Sequence, residues 1–451
     1  MTADTPAVVL ATAVRRASWA VFAVFFLSGF AFSGWASRLP AVRDALELTP
    51  AQMGVLLLAL AAGSVIALPL SGVVVQHLGA TRTVQVAGST AVGGLLLAVG
   101  AVSVHTVWLT AVGLFAYGTG TAVWDAAMNL EGAAVEQRLG RAIMPRYHAG
   151  FSFGTMGGAG IGAIAAHLQV PLGVHLAVVL SVTLVAVLVV ARSFLPEGTH
   201  AADPGDGAAD GAADGASPGA TGGRAGSFRA WGERRTLLIG LVVLAAALAE
   251  GSANDWLSLA VVDGFGTSEA VGAVGFALFV TAMTSMRLLG TALLDRFGRV
   301  TALRITAGLA LVGLLVFSLA PSLPLAFVGV LAWGTGAALG FPVGMSAAAD
   351  DPRLAPGRVA VVSTLGYTAF LAGPPLLGLL ADHVGYREAL LAVVVPTAIS
   401  LLLVGVTRPL TASAPDAAAP DASAPDAAAP DAAAPDASAP ADVDGGAGAA
   451  N

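Results

Sequence analysis

The chain contains no cysteine, which excludes disulfide frameworks, thiolate metal sites, iron–sulfur clusters and cysteine nucleophiles together. It also contains no lysine, because all 21 basic residues are arginine. A Walker-type nucleotide site, which sets a lysine on the phosphates, is therefore absent. Charge of either sign is scarce: only 11% of the 451 residues are charged while 56% are apolar. Soluble domains carry about a quarter charged residues, so much of this surface must meet a solvent other than water. The formal charge of −7 gives no basic excess, and nothing supports nucleic-acid binding. Seven histidines are present, none in a ligand spacing such as His-x3-His, so neither a metal nor another cofactor is expected. His148 opens a candidate span, whereas His77, His105, His167, His175 and His383 lie at span ends and support no role.

What is present is long hydrophobic runs. A bilayer core needs about 20 apolar residues at 1.5 Å per residue. Twelve such stretches can be counted, at 18–37, 52–75, 83–104, 107–130, 147–168, 174–193, 237–258, 270–293, 300–319, 324–347, 359–381 and 389–406. Arg15 and Arg16 precede the first, but Arg38 occupies the place of a signal-peptide cleavage site, so that stretch reads as an anchor helix. With the N-terminus inside, the arginines outside the spans divide 17 inside to 3 outside, the latter being Arg38, Arg43 and Arg387. This bias satisfies the positive-inside rule and places both termini in the cytoplasm.

These runs organise the chain into a cytoplasmic N-terminus (1–17), a six-helix bundle (18–193), a flexible linker (194–235), a second six-helix bundle (236–408) and a Pro/Asp/Ala-rich tail (409–451). The linker and tail are too polar and too repetitive to bury a core. The two bundles repeat one another. LTPAQMG at 48–54 matches GTSEAVG at 266–272, pairing Thr49 with Thr267 at an offset of 218. YGTGTA at 117–122 matches WGTGAA at 333–338, Gly140-Arg141 matches Gly357-Arg358, and Gly72 matches Gly290. Parallel halves related by an axis along the membrane normal are one of two transporter designs, with the substrate at their interface near the midplane. The expected fold is an all-α polytopic membrane protein of twelve transmembrane helices in two pseudo-symmetric six-helix bundles.

Within the spans, ionisable groups cost several kcal/mol and usually face the protein interior or a water path. Asp125, Glu250, Asp255 and Arg287 are such groups. A buried acid that gains and loses an arginine partner takes up and releases a proton. Asp125 and Glu250 are accordingly the candidates for proton coupling. Arg287, Asn129, Asp255, Arg38, Trp124 and Tyr367 are the candidates for counter-charge or substrate contact. Phe30, Phe32 and Phe341 stand at heights that would line a central cavity, and Gly373-Pro374-Pro375 should bend span 11 beside it.

Two motifs resemble enzyme sites. Gly150-Phe-Ser152-Phe-Gly154 matches a nucleophile elbow, which works only as a strained strand-to-helix turn. Here it opens an apolar helix and is better read as small-residue packing. Gly158, Gly160 and Ala163 fit a relaxed dinucleotide pattern with no preceding strand. The glycines of span 5 are expected to form a smooth surface where span 5 slides against span 8.

Gly290-x4-Asp295-Arg296-x-Gly298-Arg299 resembles the signature of the major facilitator superfamily. In that family it joins helices 2 and 3 and again helices 8 and 9. The first-half copy, Gly72 to Arg82, keeps Gly72 and Gly79 but has Gln76 and His77 where the family favours Asp and Arg. The resemblance implies that Asp295 ties the halves together in the outward-open state, facing Tyr147 and His148 at the start of span 5. The stretches 35–54 and 125–148 are similar to a bacterial branch related to the fucose:proton symporters, in which an acid and an Asn four residues later, as in Asp125 and Asn129, lie on helix 4. The helix 1 acid of those symporters is Ala36 here, which weakens a sugar substrate. Span 5 also resembles an antiporter signature with Thr155 in place of its proline.

The expected protein is thus not an enzyme. It is a monomeric secondary transporter in the bacterial cytoplasmic membrane that moves a small-molecule substrate by alternating access, coupled to protons, without nucleic acid. An intramembrane hydrolase using Ser152 and a non-transporting sensor are the alternatives.

Overall fold

The computed structural model describes residues 6–140, 143–195, 229–351 and 354–410. The expected linker lies outside them except at 194–195 and 229–235, as do Arg141 and nearly all of the expected tail. Every regular element among the described residues is helical, with no strand. Hydrocarbon offers backbone groups no hydrogen-bond partners, so each segment must satisfy its own.

The helices are α1 (Pro6–Ala36), α2 (Leu39–Leu46), α3 (Pro50–Ser103), α4 (Val107–Leu139), α5 (Met144–His167) and α6 (Leu172–Val190). They continue with α7 (Arg234–Phe265), α8 (Glu269–Leu319), α9 (Leu323–Ala337), α10 (Gly340–Ala348), α11 (Ala355–Val384), α12 (Tyr386–Ala389) and α13 (Leu391–Leu403). Ten runs among the described residues are long and apolar enough to span a membrane, where twelve were expected. The difference comes from α3 and α8, which hold 54 and 51 residues and each combine two expected spans.

Neither long helix is straight. Gly79 in α3 and Gly298 in α8 both adopt φ 75°, with ψ 160° and 162°, a region open essentially to glycine alone. The chain folds back there. On α4, Gly118 lies against Leu60 and its neighbour Tyr117 against Gly94. Those two α3 residues would stand about 50 Å apart in a straight helix. On α9, Gly334 lies against Phe279 and Trp333 against Gly313, which is the same arrangement in the second half. Twelve passes result among the described residues, and the repeat read from YGTGTA and WGTGAA is the place where each hairpin grips its neighbour.

The helix starts refine the repeat. Thr49 caps α3 through a reciprocal capping box with Gln52, and Ser268 is the N-cap of α8. The structural counterpart of Thr49 is therefore Ser268, one residue beyond the sequence match at Thr267. The kinks keep the same register, and Gly72 and Gly290 fall one residue out of it.

Small residues set the packing distances. On α5, Gly150, Gly154, Gly158 and Gly162 recur every four residues, and a Cβ there would run into Phe22, Phe26, Phe30 with Ser33, and Ser37 of the first span and the turn that ends it. The glycine seam of span 5 thus packs on span 1. This corrects the expected sliding surface against span 8, although α5 also neighbours α8. Pro374 and Pro375 stand within a continuous α11. Their backbone lies against Gly54 of α3, joining the two halves.

Replacing Gly79 or Gly298 with Ala should lower the thermal midpoint of the purified protein, each costing on the order of 1–3 kcal/mol for the forced backbone. Gly93→Ala and Gly308→Ala, at helical positions with open space around the new methyl group, should leave it unchanged or slightly raised.

Candidate functional site

Hydrophobic helices leave few polar groups in the bundle, so the positions of those few are informative. Glu250 on α7 and Arg287 on α8 form an ion pair, Nη2 donating to Oε2 at 2.9 Å. Their side chains are 17% and 30% exposed, neither sealed in the core nor open to bulk solvent. The Arg287 Nε also donates to the Ala338 carbonyl at 3.3 Å. Ala338 and Leu339 interrupt the tenth span between α9 and α10, and such a break releases carbonyls from the helix ladder. One guanidinium therefore joins an acid on span 7 to the interruption in span 10.

Glu250, Asn254 and Ser258 follow one another at four-residue spacing and so share a face of α7. At the end of that stripe the Ser258 hydroxyl donates to the Ala36 carbonyl of α1 at 3.4 Å. The part of α7 bearing Ser258 thereby meets α1 of the other half. Asp255, one residue beyond Asn254, lies off this stripe, and its carboxylate forms no ion pair or hydrogen bond among the described residues.

In the first half, Asp125 and Asn129 occupy successive turns of α4 and are both half-buried. The Asn129 amide donates to the Asp125 carbonyl at 2.9 Å, a contact within its own helix, and its Oδ1 is buried without a partner. The two expected proton acids thus sit on separate helices of separate halves, and the arginine is placed on Glu250. Trp124 is buried in the helix core with its ring beside Gly88 of α3. Phe30 and Phe341 likewise pack near Gly157 and Gly366, while Tyr367 is half-buried on α11.

Arg38 has the densest set of contacts. Only 2% exposed, it pairs with Glu269 at the start of α8 and donates to the Val170 carbonyl at 3.1 Å. Its Nη1 lies 3.3 Å from His175 Nδ1 on α6. Beside it, Arg43 pairs with Asp263 at the end of α7 and lies over the Tyr386 ring. The Ala51 amide donates to Asp382 at 3.4 Å. These three contacts join the first half to the second at the same end of the bundle, where Arg43 also pairs with Asp44 of its own half at 2.6 Å. Arg387, at this end too, donates to the Gly264, Ser318 and Ala320 carbonyls, closing helix ends within the second half.

The opposite end, which holds Gly79 and Gly298, carries ion pairs that stay within the second half. Arg299 of the signature donates to Asp350 at 2.7 Å, and Arg235 reaches the same carboxylate at 2.8 Å. Arg358 pairs with Glu233 and holds that carboxyl below its usual range. Asp295, Arg296 and Arg82 are not buried. Asp295 forms no ion pair among the described residues, whereas Tyr147, its expected neighbour, donates to Ser18 at 2.9 Å. Gly290 permits close approach of Leu339, and Gly72 lies half-buried within α3.

Sequence reasoning singled out Glu250, Arg287 and Arg38 but not their pairing. It missed Glu269, Asp263 and His175, the last set aside as a span-end residue. The available signal was the scarcity of arginine on one side: Arg38, Arg43 and Arg387 all proved to be engaged there. Ser152 lies within the regular helix α5, so the nucleophile-elbow geometry is absent and nothing favours the hydrolase alternative.

Comparisons with known proteins agree with this architecture. The family model of the Major Facilitator Superfamily matches residues 21–356 and 256–439. An uncharacterized transporter of Sinorhizobium fredii is 34% identical over 391 residues, covering 83% of this chain and 96% of its own. An uncharacterized transporter of the same superfamily type from Yersinia pestis is 30% identical over 361 residues, covering 79% and 87%. Among solved structures, a point mutant of the nucleoside transporter NupG shares the fold with a TM-score of 0.68 at 14% identity, covering 86% of this chain and 98% of its own. The E. coli fucose:proton symporter FucP, also as a point mutant, aligns with a TM-score of 0.56 at 17% identity, with the same coverage. The chain belongs to the major facilitator superfamily and is a multi-pass secondary transporter of the membrane.

Proposed function

We propose that this transporter moves a small organic solute across the bacterial cytoplasmic membrane by alternating access, with proton transfer at the Glu250–Arg287 pair. The observation that carries this reading is the pair itself: an acid and a guanidinium 2.9 Å apart, both partly exposed, in the middle of spans where charge is scarce. A substrate group or a helix movement that drew Arg287 away would leave Glu250 without its counter-charge, and a proton taken up from one side of the membrane would replace it. The Ala338 carbonyl gives Arg287 a second anchor, so its departure from Glu250 would be linked to the geometry of the span 10 break.

Asp125 is the second proton candidate, on the first-half face of α4 that also carries Asn129. Asp255 and Tyr367 remain candidates for substrate contact. We assign the end bearing Arg38, Arg43 and Arg387 to the outside, on the arginine bias across the spans. Both termini then lie in the cytoplasm, with 18–193 and 236–408 as the two moving bundles of a monomer.

The test is the purified protein in liposomes enclosing a pH-sensitive dye, challenged with sugars, nucleosides, organic acids and cationic drugs. Once a substrate is found, Glu250→Gln should abolish accumulation driven by a proton gradient while sparing substrate exchange. Asp125→Asn provides the parallel measurement, and undiminished accumulation in both variants would remove proton coupling at these acids. The pairing also predicts an order of stability. Arg287→Met leaves a carboxylate alone in the bundle and should cost on the order of 1–3 kcal/mol, whereas the Glu250→Gln/Arg287→Met double variant should recover part of that loss in thermal midpoint.

A further inference from the structure

We infer that Arg38 and Glu269, seconded by Arg43 and Asp263, form the latch that holds the bundle shut at one end, with Arg38 the fixed member and Glu269 the member that leaves. The inference goes beyond the proton site and rests on the alternating-access reading.

The asymmetry between the two partners carries the argument. Arg38 is almost wholly buried, and two of its contacts come from its own half: the Val170 carbonyl between α5 and α6 and the His175 ring on α6. A guanidinium has five donors in a rigid fork, so these contacts fix its plane relative to the first half whatever the second half does. Glu269 belongs to the second half and stands in the first turn of α8. There the unsatisfied amides and the positive end of the helix favour a carboxylate even without Arg38. Its side chain is already 26% exposed. Separation of the halves would therefore return Glu269 to water at modest cost, and Arg38 would keep its carbonyl and imidazole contacts.

The second clamp repeats this division of charge. Arg43, on α2 in the first half, pairs with Asp263 at the end of α7, and the Tyr386 ring lies beneath its guanidinium. In both clamps the cation belongs to the first half and the acid across the seam to the second, while Asp44 of the first half also holds Arg43. Around them the halves meet through backbone: Gly54 against Pro374, and Gly378 against Pro50. At the other end, the ion pairs of Arg299, Arg235 and Arg358 stay inside the second half. The charge pairs described between the halves thus lie at the Arg38 end, and it is these that must break when that end opens.

The natural absence of cysteine makes the test direct, because two introduced thiols are the only ones to carry spin labels. One pair, Glu47→Cys with Ser322→Cys, reports the Arg38 end. A second, His77→Cys with Leu354→Cys, reports the Gly298 end. All four positions are exposed. Distance distributions are measured by pulsed electron resonance on the full chain in lipid nanodiscs, with and without Glu269→Gln, Asp263→Asn and both together.

The latch predicts that Glu269→Gln raises the ratio of long to short distances at the Arg38 end by at least about tenfold, the effect of losing one charged hydrogen bond. The double variant should shift it further, and distances at the Gly298 end should shorten in step. Glu269→Asp, which keeps the carboxylate, should restore most of the short population and shows that the site still folds. Unchanged distances at both ends in the double variant, with transport intact, would overturn the latch alone. Lengthening at the Arg38 end without shortening at the other would overturn the alternating-access reading on which it rests.

Discussion

The absence of hydrogen-bonding solvent in the bilayer core governs the structure. Backbone groups must be satisfied within each segment, so the described residues form only helices, and helices that cannot gain hydrophobic energy from one another in lipid must gain it from contact. That is why glycine recurs where helices meet. Gly154 admits the Phe26 carbonyl, Gly118 the Leu60 carbonyl and Gly313 the backbone of Trp333. The same constraint restricts charge, and the few ionisable groups left in or near the bundle are largely committed to specific partners.

Those partners divide into two kinds. At the ends of the bundle, arginines bind acids and helix-terminal carbonyls, as Arg387 does with Gly264, Ser318 and Ala320. There the paired groups lie close to water, and the pairs fix which helices end together. Within the bundle, Glu250 and Arg287 pair on adjacent helices and reach the interruption of span 10 through Ala338. Such a pair is costly if either partner is lost, and a helix break is one of the few features of a membrane bundle that can rearrange without melting a span.

Much of this was legible in the sequence, for identifiable reasons. Hydrophobic runs of bilayer length set the twelve passes, and the YGTGTA and WGTGAA repeat marked the place where each hairpin is gripped by the next span. Gly79 and Gly298 were singled out by the signature, and their positive φ explains why glycine stands there. The sequence was less informative about helix faces. A run of span 5 glycines shows that something approaches closely but does not name the neighbour, which proved to be span 1. Trp124 sat at a height compatible with a cavity, yet its ring is turned into the core beside Gly88.

Composition and local pattern determined the solvent, the number of passes, the duplication and the short set of charged residues that had to be explained. These follow from transfer energies and helix geometry, which act on each segment independently. Tertiary structure decided who meets whom: Glu250 with Arg287, Arg38 with Glu269 across 231 residues of chain, and Arg43 with Asp263. Pairing depends on the rotation of each helix about its axis and on the packing of the two halves, and both are set by steric fit among many side chains at once. No single stretch of sequence contains that information.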